Sequence, residues 1–222
     1  MVFLHIFVRK GGIDLNSYLT LEKAAKTEYV VKHSRFITTV APVTTNEEAV
    51  RFVADVRSKY GDATHNVYAY VLREGQMKRY SDDGEPQGTA GMPVLDVLLK
   101  EGVTDCALVV TRYFGGILLG GGGLVRAYSH SAKLGVDAAG IVRMSLCAIM
   151  ELKCDYSFYG RVPALLSDFD ALTLDTQFTD EVTVRFRMAV ENVAAFEKEL
   201  TERSFGKFNA KKLSETFAAI KI

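Results

Sequence analysis

No charge of either sign dominates this chain: 27 Lys and Arg face 27 Asp and Glu. The balance holds regionally, with 15 basic and 14 acidic side chains from Leu15 to Ser145 and 10 and 12 from Leu146 to Ile222. That evenness argues against a dedicated DNA binder or a protein drawn to anionic membranes, so any nucleic-acid surface must be a local patch. Cysteine is scarce as well. Cys106, Cys147 and Cys154 show no metal-ligand spacing and cannot all pair, a pattern that fits a reducing, cytoplasmic setting. No stretch approaches the about 18–20 apolar residues that span a bilayer. The apolar run Met1–Val8 is short for a secretory segment, and its charges, Arg9 and Lys10, follow it instead of preceding it. Chemical signatures are missing too: no Gly-Lys-Ser/Thr closes a phosphate loop, and G-x-G-x-x-G, H-E-x-x-H and G-x-S-x-G are absent. Nothing marks a catalytic residue, a metal site or a cofactor, and the chain reads as non-enzymatic.

What is abundant is glycine, in one place. Six of the 18 glycines fall within nine positions, Gly115, Gly116 and Gly120–Gly123, after an apolar strand that ends in Arg112, Tyr113 and Phe114. Glycine is placed where φ turns positive or where another group approaches the main chain closely. A glycine-rich turn feeding a helix also leaves amide N–H groups exposed at the positive end of the helix dipole. With Arg112 on one side and Arg126 on the other, the turn offers a seat to an anion. The plainer reading, a tight turn that lets a helix pack closely on a sheet, stays open beside it.

Length and composition set the frame. A chain of 222 residues, 48% hydrophobic and 24% charged, is long enough for one large or two ordinary domains with real cores. Residues 1–16 read as a loosely attached extension. The alternation predicts a strand over Phe36–Val43, a helix from an Asn46 N-cap to Tyr60, and a second strand over Asn66–Leu72. A polar loop, Arg73–Gly88, precedes a helix over Thr89–Glu101, the strand Cys106–Thr111 and a helix over Leu124–Ala139. Beyond Met144 the pattern predicts a strand (Leu146–Tyr156), a helix (Gly160–Phe169), a hairpin (Leu172–Phe178 with Val182–Met188), a helix (Asn192–Arg203) and a last strand (Leu213–Ile220). That order, β-α-β-β-α-β, is a ferredoxin-like split βαβ unit.

Each candidate for chemistry has a plain alternative. Asp82, Asp83 and Glu85 around Gly84 could ligate a hard cation, but EF-hand spacing is missing and a turn held by Asx hydrogen bonds explains them as well. His65 precedes a strand and could face a pocket, yet the four histidines lack ligand spacing and a satisfied structural role suffices. Arg112, Tyr113 and Phe114 could bind phosphate and stack a base, or close the core under the loop.

Four segments resemble a known family. His33–Ile37, Ala63–Asn66, Ser81–Gly91 and Thr111–Gly120 are similar to the YigZ/IMPACT family in its bacterial two-domain form, covering Leu19 to about Val142. Leu118 stands where many relatives carry lysine, which removes one charge from the supposed anion site, and Gly121 where alanine or threonine is common. The eukaryotic members' additional N-terminal interaction domain has no counterpart in this sequence, so their restraint of a translational stress kinase is not carried over. The resemblance implies an α+β protein. Residues 17–144 would form a βα domain similar to small-subunit ribosomal proteins and to domain IV of elongation factor G. Residues 145–222 would form a ferredoxin-like domain similar to domain V of that factor. Both precedents touch RNA, and the implied role is binding RNA or the ribosome in translation or its regulation, without DNA-specific recognition or a membrane. Anion or nucleic-acid contact is expected at Arg35, His65, Arg112, Tyr113, Gly115, Gly116, Gly120, Gly121, Gly122, Gly123 and Arg126. Asp82, Asp83, Gly84 and Glu85 are expected to form a supporting acidic loop. The alternative is an enzyme or sensor holding a small phosphorylated metabolite between the acidic loop and the glycine turn, with His65 as acid or base.

Overall fold

The computed structural model describes residues 8–9, 12–13 and 17–220, and the chain divides after Arg143 into two compact units. Of the N-terminal extension, β1 (Val8–Arg9) and β2 (Gly12–Ile13) form a short antiparallel pair. The rest of that expectation lies outside the described residues.

The N-terminal unit continues through β3 (Ser17–Leu21), β4 (Ala25–Val31), β5 (Ser34–Pro42), α1 (Asn46–Lys59) and β6 (His65–Val71). It is completed by β7 (Lys78–Ser81), α2 (Gly91–Lys100), β8 (Cys106–Tyr113) and α3 (Gly121–Ala139). Five strands form one antiparallel sheet in the order β4-β5-β8-β6-β7. Successive side chains of a strand point to opposite faces, and here both faces are covered. Val110 and Leu108 of β8 join Phe36, Val40, Val67 and Ala69 beneath α2 and α3, while Ala107 and Val109 meet Ala49, Val53 and Val56 of α1 on the other side. The central strand β8 is therefore buried along nearly its whole length.

The local chemistry differs from the sequence reading at several points. α1 is capped by Thr45, whose hydroxyl accepts from the Glu48 amide at 3.2 Å. Asn46 is the first helical residue, and its side-chain oxygen accepts from the Tyr70 hydroxyl at 3.0 Å. The segment read as a polar loop contains β7, a polar edge strand whose register runs from Tyr68↔Ser81 to Val71↔Lys78. The edge strand β4 is hard to read for a similar reason: Lys26, Glu28 and Val30 stand exposed, and its inward residues Ala25, Tyr29 and Val31 are only half-buried against the core, with Thr27 among them. α3 starts at Gly121, three residues before Leu124, because glycine's backbone can be helical without advertising it in an apolar pattern.

The C-terminal unit runs through β9 (Ile141–Cys154), α4 (Tyr156–Tyr159), α5 (Val162–Ser167), β10 (Leu172–Phe178), β11 (Val182–Ala189), α6 (Val193–Ser204) and β12 (Ala210–Ile220). Its strands lie in the order β10-β11-β9-β12, the β-α-β-β-α-β plan. The single helix expected over Gly160–Phe169 is two short ones. Asp155 caps the first by accepting from the Phe158 amide at 2.8 Å, and Pro163 opens the second. In β11, Val182, Val184, Phe186 and Met188 are buried against Phe196 and Leu200 of α6, and Arg185 turns outward to Glu151 at 2.8 Å. The whole is a mixed α+β protein with antiparallel sheets.

Candidate functional site

Strand register separates the residues expected to act together. His65 lies opposite Arg112 in the β6–β8 ladder, on the face covered by α2 and α3. Arg35 lies opposite Tyr113 in the β5–β8 ladder, on the face covered by α1. There Arg35 grips Glu28 with two hydrogen bonds of 2.8 and 2.9 Å and sits 6.0 Å over the Tyr113 ring, whose hydroxyl donates to Asp62 at 2.8 Å. Arg35 and Tyr113 therefore cannot share an anion with Arg112 and His65.

On the α2/α3 face, Glu85 is the hub of a buried network. Its Oε1 accepts from Arg112 Nη1 at 2.6 Å and from the Tyr128 hydroxyl at 2.7 Å, and lies 3.8 Å from His65 Nε2. Arg112 is only 5% exposed. Its Nη2 reaches the Ser34 hydroxyl at 3.4 Å, while its Nε is buried without a partner among the described residues. Burial and the adjoining Glu85 carboxylate push the Tyr128 phenol well above its ordinary range, so it stays a donor. His65 Nδ1 lies 2.8 Å from the Asp83 carbonyl. A carbonyl can only accept, so Nδ1 carries a proton and Nε2 faces the carboxylate. Arg112 belongs to this interior network and is not a surface anion contact. Tyr128 was the residue sequence reasoning missed. Its spacing with Leu124, Ala127 and Ala132 places it on a core face, where a phenol needs a polar partner.

The other acids are spent on the fold. Asp82 Oδ1 accepts from the amides of Ala90 and Gly91 at 3.1 and 2.8 Å, and Oδ2 from Gly88 at 2.9 Å. It thereby caps α2, whose own N-cap position, Ala90, has no side chain able to do so. The Asp83 carboxylate accepts from the Asn66 amide at 2.6 Å and from Arg57. Among the described residues no group of three or more His, Cys, Asp or Glu is placed to hold a metal ion. Replacing Asp82 with alanine should strand three amides and cost about 2 kcal/mol, with asparagine recovering part of the loss through its one acceptor oxygen; urea unfolding measures both.

The glycine turn lies directly above this network. The Phe114 amide donates to Thr64 Oγ1 at 3.1 Å and the Gly115 amide to Ser34 Oγ at 3.2 Å, which ties the start of the turn to the sheet. Gly116 and Gly120 adopt φ of 81° and 71°, and between them Leu118 stands 81% exposed. Then α3 begins. The amides of Gly121, Gly122 and Gly123 precede any intrahelical carbonyl, no side chain caps them, and no partner for them occurs among the described residues. Arg126 is exposed and unpaired among those residues, and its Nη1 lies 3.6 Å from where a Cβ on Gly122 would stand. Thr89, at the end of the acidic loop, comes within 3.9 Å of the equivalent point on Gly121. The two loops thus meet, with carboxylates turned inward and bare amides outward. Phe114, Ile117, Leu118, Val125 and Met92 give exposed apolar surface on the same two loops and helix starts. Of the expected contacts, Gly120–Gly123 and Arg126 come together at the surface. Gly115 is tied to the sheet, and His65, Gly84 and Glu85 lie behind with Arg112.

Comparison with known proteins gives two family models. The Impact N-terminal domain matches residues 32–136, and DUF1949, a domain of unknown function, matches residues 152–207. The chain is 38% identical over 204 residues to the IMPACT family member YvyE of Bacillus subtilis (strain 168), covering 91% of this chain and 94% of that one. It is 37% identical over 179 residues to the IMPACT family member YigZ of Escherichia coli (strain K12), covering 79% and 88%. It is 39% identical over 104 residues to the Protein IMPACT homolog of Dictyostelium discoideum, covering 45% of this chain and 28% of that one. A crystal structure described as that of a hypothetical protein aligns with a TM-score of 0.58 at 33% identity, covering 90% of this chain and 98% of the other.

Proposed function

The chain belongs to the IMPACT family, and from that premise we propose that it binds RNA or the ribosome and acts, without catalysing a reaction, in translation or its regulation in the cytoplasm. The observation that carries this reading is the start of α3: the unpartnered amides of Gly121–Gly123 beside the unpaired guanidinium of Arg126. Backbone N–H groups at a helix N-terminus and an adjacent guanidinium hold a phosphate oxygen well. The absence of side chains at three successive positions lets a bulky polyanion reach the main chain. On a chain of zero formal net charge the contact must be local, and this turn supplies it. Among the described residues no helix is long and apolar enough to cross a membrane. The reading takes residues 17–144 as similar to domain IV of elongation factor G and residues 145–222 as similar to domain V, two modules that work against ribosomal RNA. In it Arg112, His65 and the acidic loop hold the turn in shape from beneath.

The test is binding to structured RNA and to purified ribosomes across a salt series. Affinity should fall steeply as salt rises, and Arg126→Ala should weaken binding and reduce the salt slope by about one. Binding that ignores salt, or an Arg126→Ala variant with unchanged affinity, would defeat the proposal. A thermal shift with nucleotides or sugar phosphates, in the absence of RNA binding, would transfer the site to a phosphorylated metabolite.

A further inference from the structure

The C-terminal unit holds a second feature that the family comparison leaves unassigned. At the end of α6, Phe205 is 94% exposed and adopts a left-handed backbone, φ 53° and ψ 37°. A single exposed apolar side chain is ordinary. What sets Phe205 apart is that its ring is displayed on a conformation suited to glycine or asparagine. The left-handed angle closes the helix, since it lets the Gly206 amide reach the Thr201 carbonyl at 2.8 Å while the Phe205 amide donates to Glu202 at 3.3 Å; glycine or asparagine would hold that cap at less cost, and the exposed ring adds nothing to it. The exposed ring, and not the angle, is what the fold leaves unexplained.

Phe205 lines a cleft of about 480 Å³ together with Gly160, Arg161, Ala164, Glu202 and Arg203. The polar groups on this rim differ in availability. Arg203 is committed to Glu199 and Asp168 at 2.7 and 2.9 Å. Arg161 is exposed, and its guanidinium has no hydrogen bond or ion pair among the described residues. Glu202 has only Lys198 at 3.9 Å. Gly160 offers no side chain and has open space where a Cβ would stand.

A flat wall, a small floor, one free guanidinium and a carboxylate held only by Lys198 at 3.9 Å match an unpaired nucleotide. We infer that this cleft takes a nucleobase against the Phe205 ring, with its phosphate at Arg161 and its exocyclic amino edge at Glu202. Aromatic rings stack unpaired bases regardless of sequence, and a carboxylate accepts from base amino groups. The ligand is either a single-stranded segment of RNA or a free mononucleotide, which share this chemistry. The inference stands on different residues from the α3 site and does not depend on it.

Phe205→Gly separates recognition from stability, because it removes the ring and relieves the backbone at once. Binding is measured by fluorescence anisotropy with a labelled single-stranded RNA of about 12 nucleotides, the same strand annealed to its complement, and guanosine 5′-monophosphate as competitor. Phe205→Gly should weaken the single strand about tenfold while its unfolding midpoint is unchanged or raised. Phe205→Tyr should bind as the parent does, and Arg161→Ala should lower the salt slope by about one. Competition by the mononucleotide at comparable concentration identifies a free nucleotide as ligand; competition by RNA alone identifies a strand. Equal binding by Phe205→Gly, equal binding by Phe205→Leu (an apolar contact suited to a peptide), or equal affinity for the duplex overturns the inference. Loss in Arg126→Ala with full binding in Phe205→Gly sinks this cleft and leaves the α3 site standing, and the reverse result does the opposite.

Discussion

Arg112→Ala should destabilise the N-terminal unit by about 3–5 kcal/mol, because it leaves a buried carboxylate without its cation. Glu85 has 3% of its side chain exposed and Arg112 has 6%. In the variant Glu85 keeps only the Tyr128 hydroxyl and the more distant His65. The companion substitution shows the cause. Arg112→Met combined with Glu85→Gln removes both charges, leaves the Gln oxygen to accept from Tyr128, and should recover most of the loss. A double-mutant cycle by urea unfolding, with hydrogen exchange to confirm that the deficit falls within β6, β8 and α3, measures it. Were Arg112 an exposed phosphate contact, the single substitution would change stability by less than about 0.5 kcal/mol and abolish RNA binding instead. The structure predicts the first pattern, and the proposed function expects the second of Arg126.

Gly115→Ala should be nearly as damaging, for a steric reason. A Cβ at this position would lie 2.0 Å from the His33 carbonyl carbon, 2.2 Å from its oxygen and 2.4 Å from the Ser34 nitrogen. These are backbone atoms of the tight β4–β5 turn, where Lys32 and His33 already hold φ of 44° and 66°, so no rotamer change relieves the overlap. The turn must move, which breaks the Gly115–Ser34 hydrogen bond and loosens Ser34 from Arg112. A loss of about 3 kcal/mol or more is expected, at the upper end of overpacking costs. Gly116→Ala is the informative neighbour. It meets open space and carries only the penalty of φ 81°, about 1 kcal/mol. Thermal unfolding of both variants checks the contrast.

The sequence exposed some of this organisation and concealed the rest for identifiable reasons. β11 and the helices α1 and α6 were legible because each buries one periodic apolar face. β4 and β7 were not, since edge strands with polar alternation look like loops. The density of glycine before α3 correctly marked a place where main chain is approached closely, and Gly115 shows how closely. Charge pairing was invisible. Arg112 and Arg126 flank the same turn and look equivalent in sequence, yet one faces Glu85 in the core and the other faces solvent. Only the β6–β8 register, which sets His65 against Arg112, and the reach of the Ser81–Gly91 loop over that face decide between them. Arg35 and Tyr113 fell on the wrong side because each is one residue removed from a buried neighbour, and a strand sends adjacent side chains in opposite directions.

One property of α3 carries further than its geometry. Its first turn consists of Gly121, Gly122 and Gly123, residues that forfeit the most freedom on becoming helical and contribute no side-chain contacts to hold themselves there. This turn is the part of α3 held least by side-chain contacts, the rest being anchored by Leu124, Ala127 and Tyr128. On the proposed reading, an anion bound at those amides would hold this turn in its helical form. Part of the attraction would go into ordering that turn, so association would be exothermic, opposed by entropy and weaker as temperature rises.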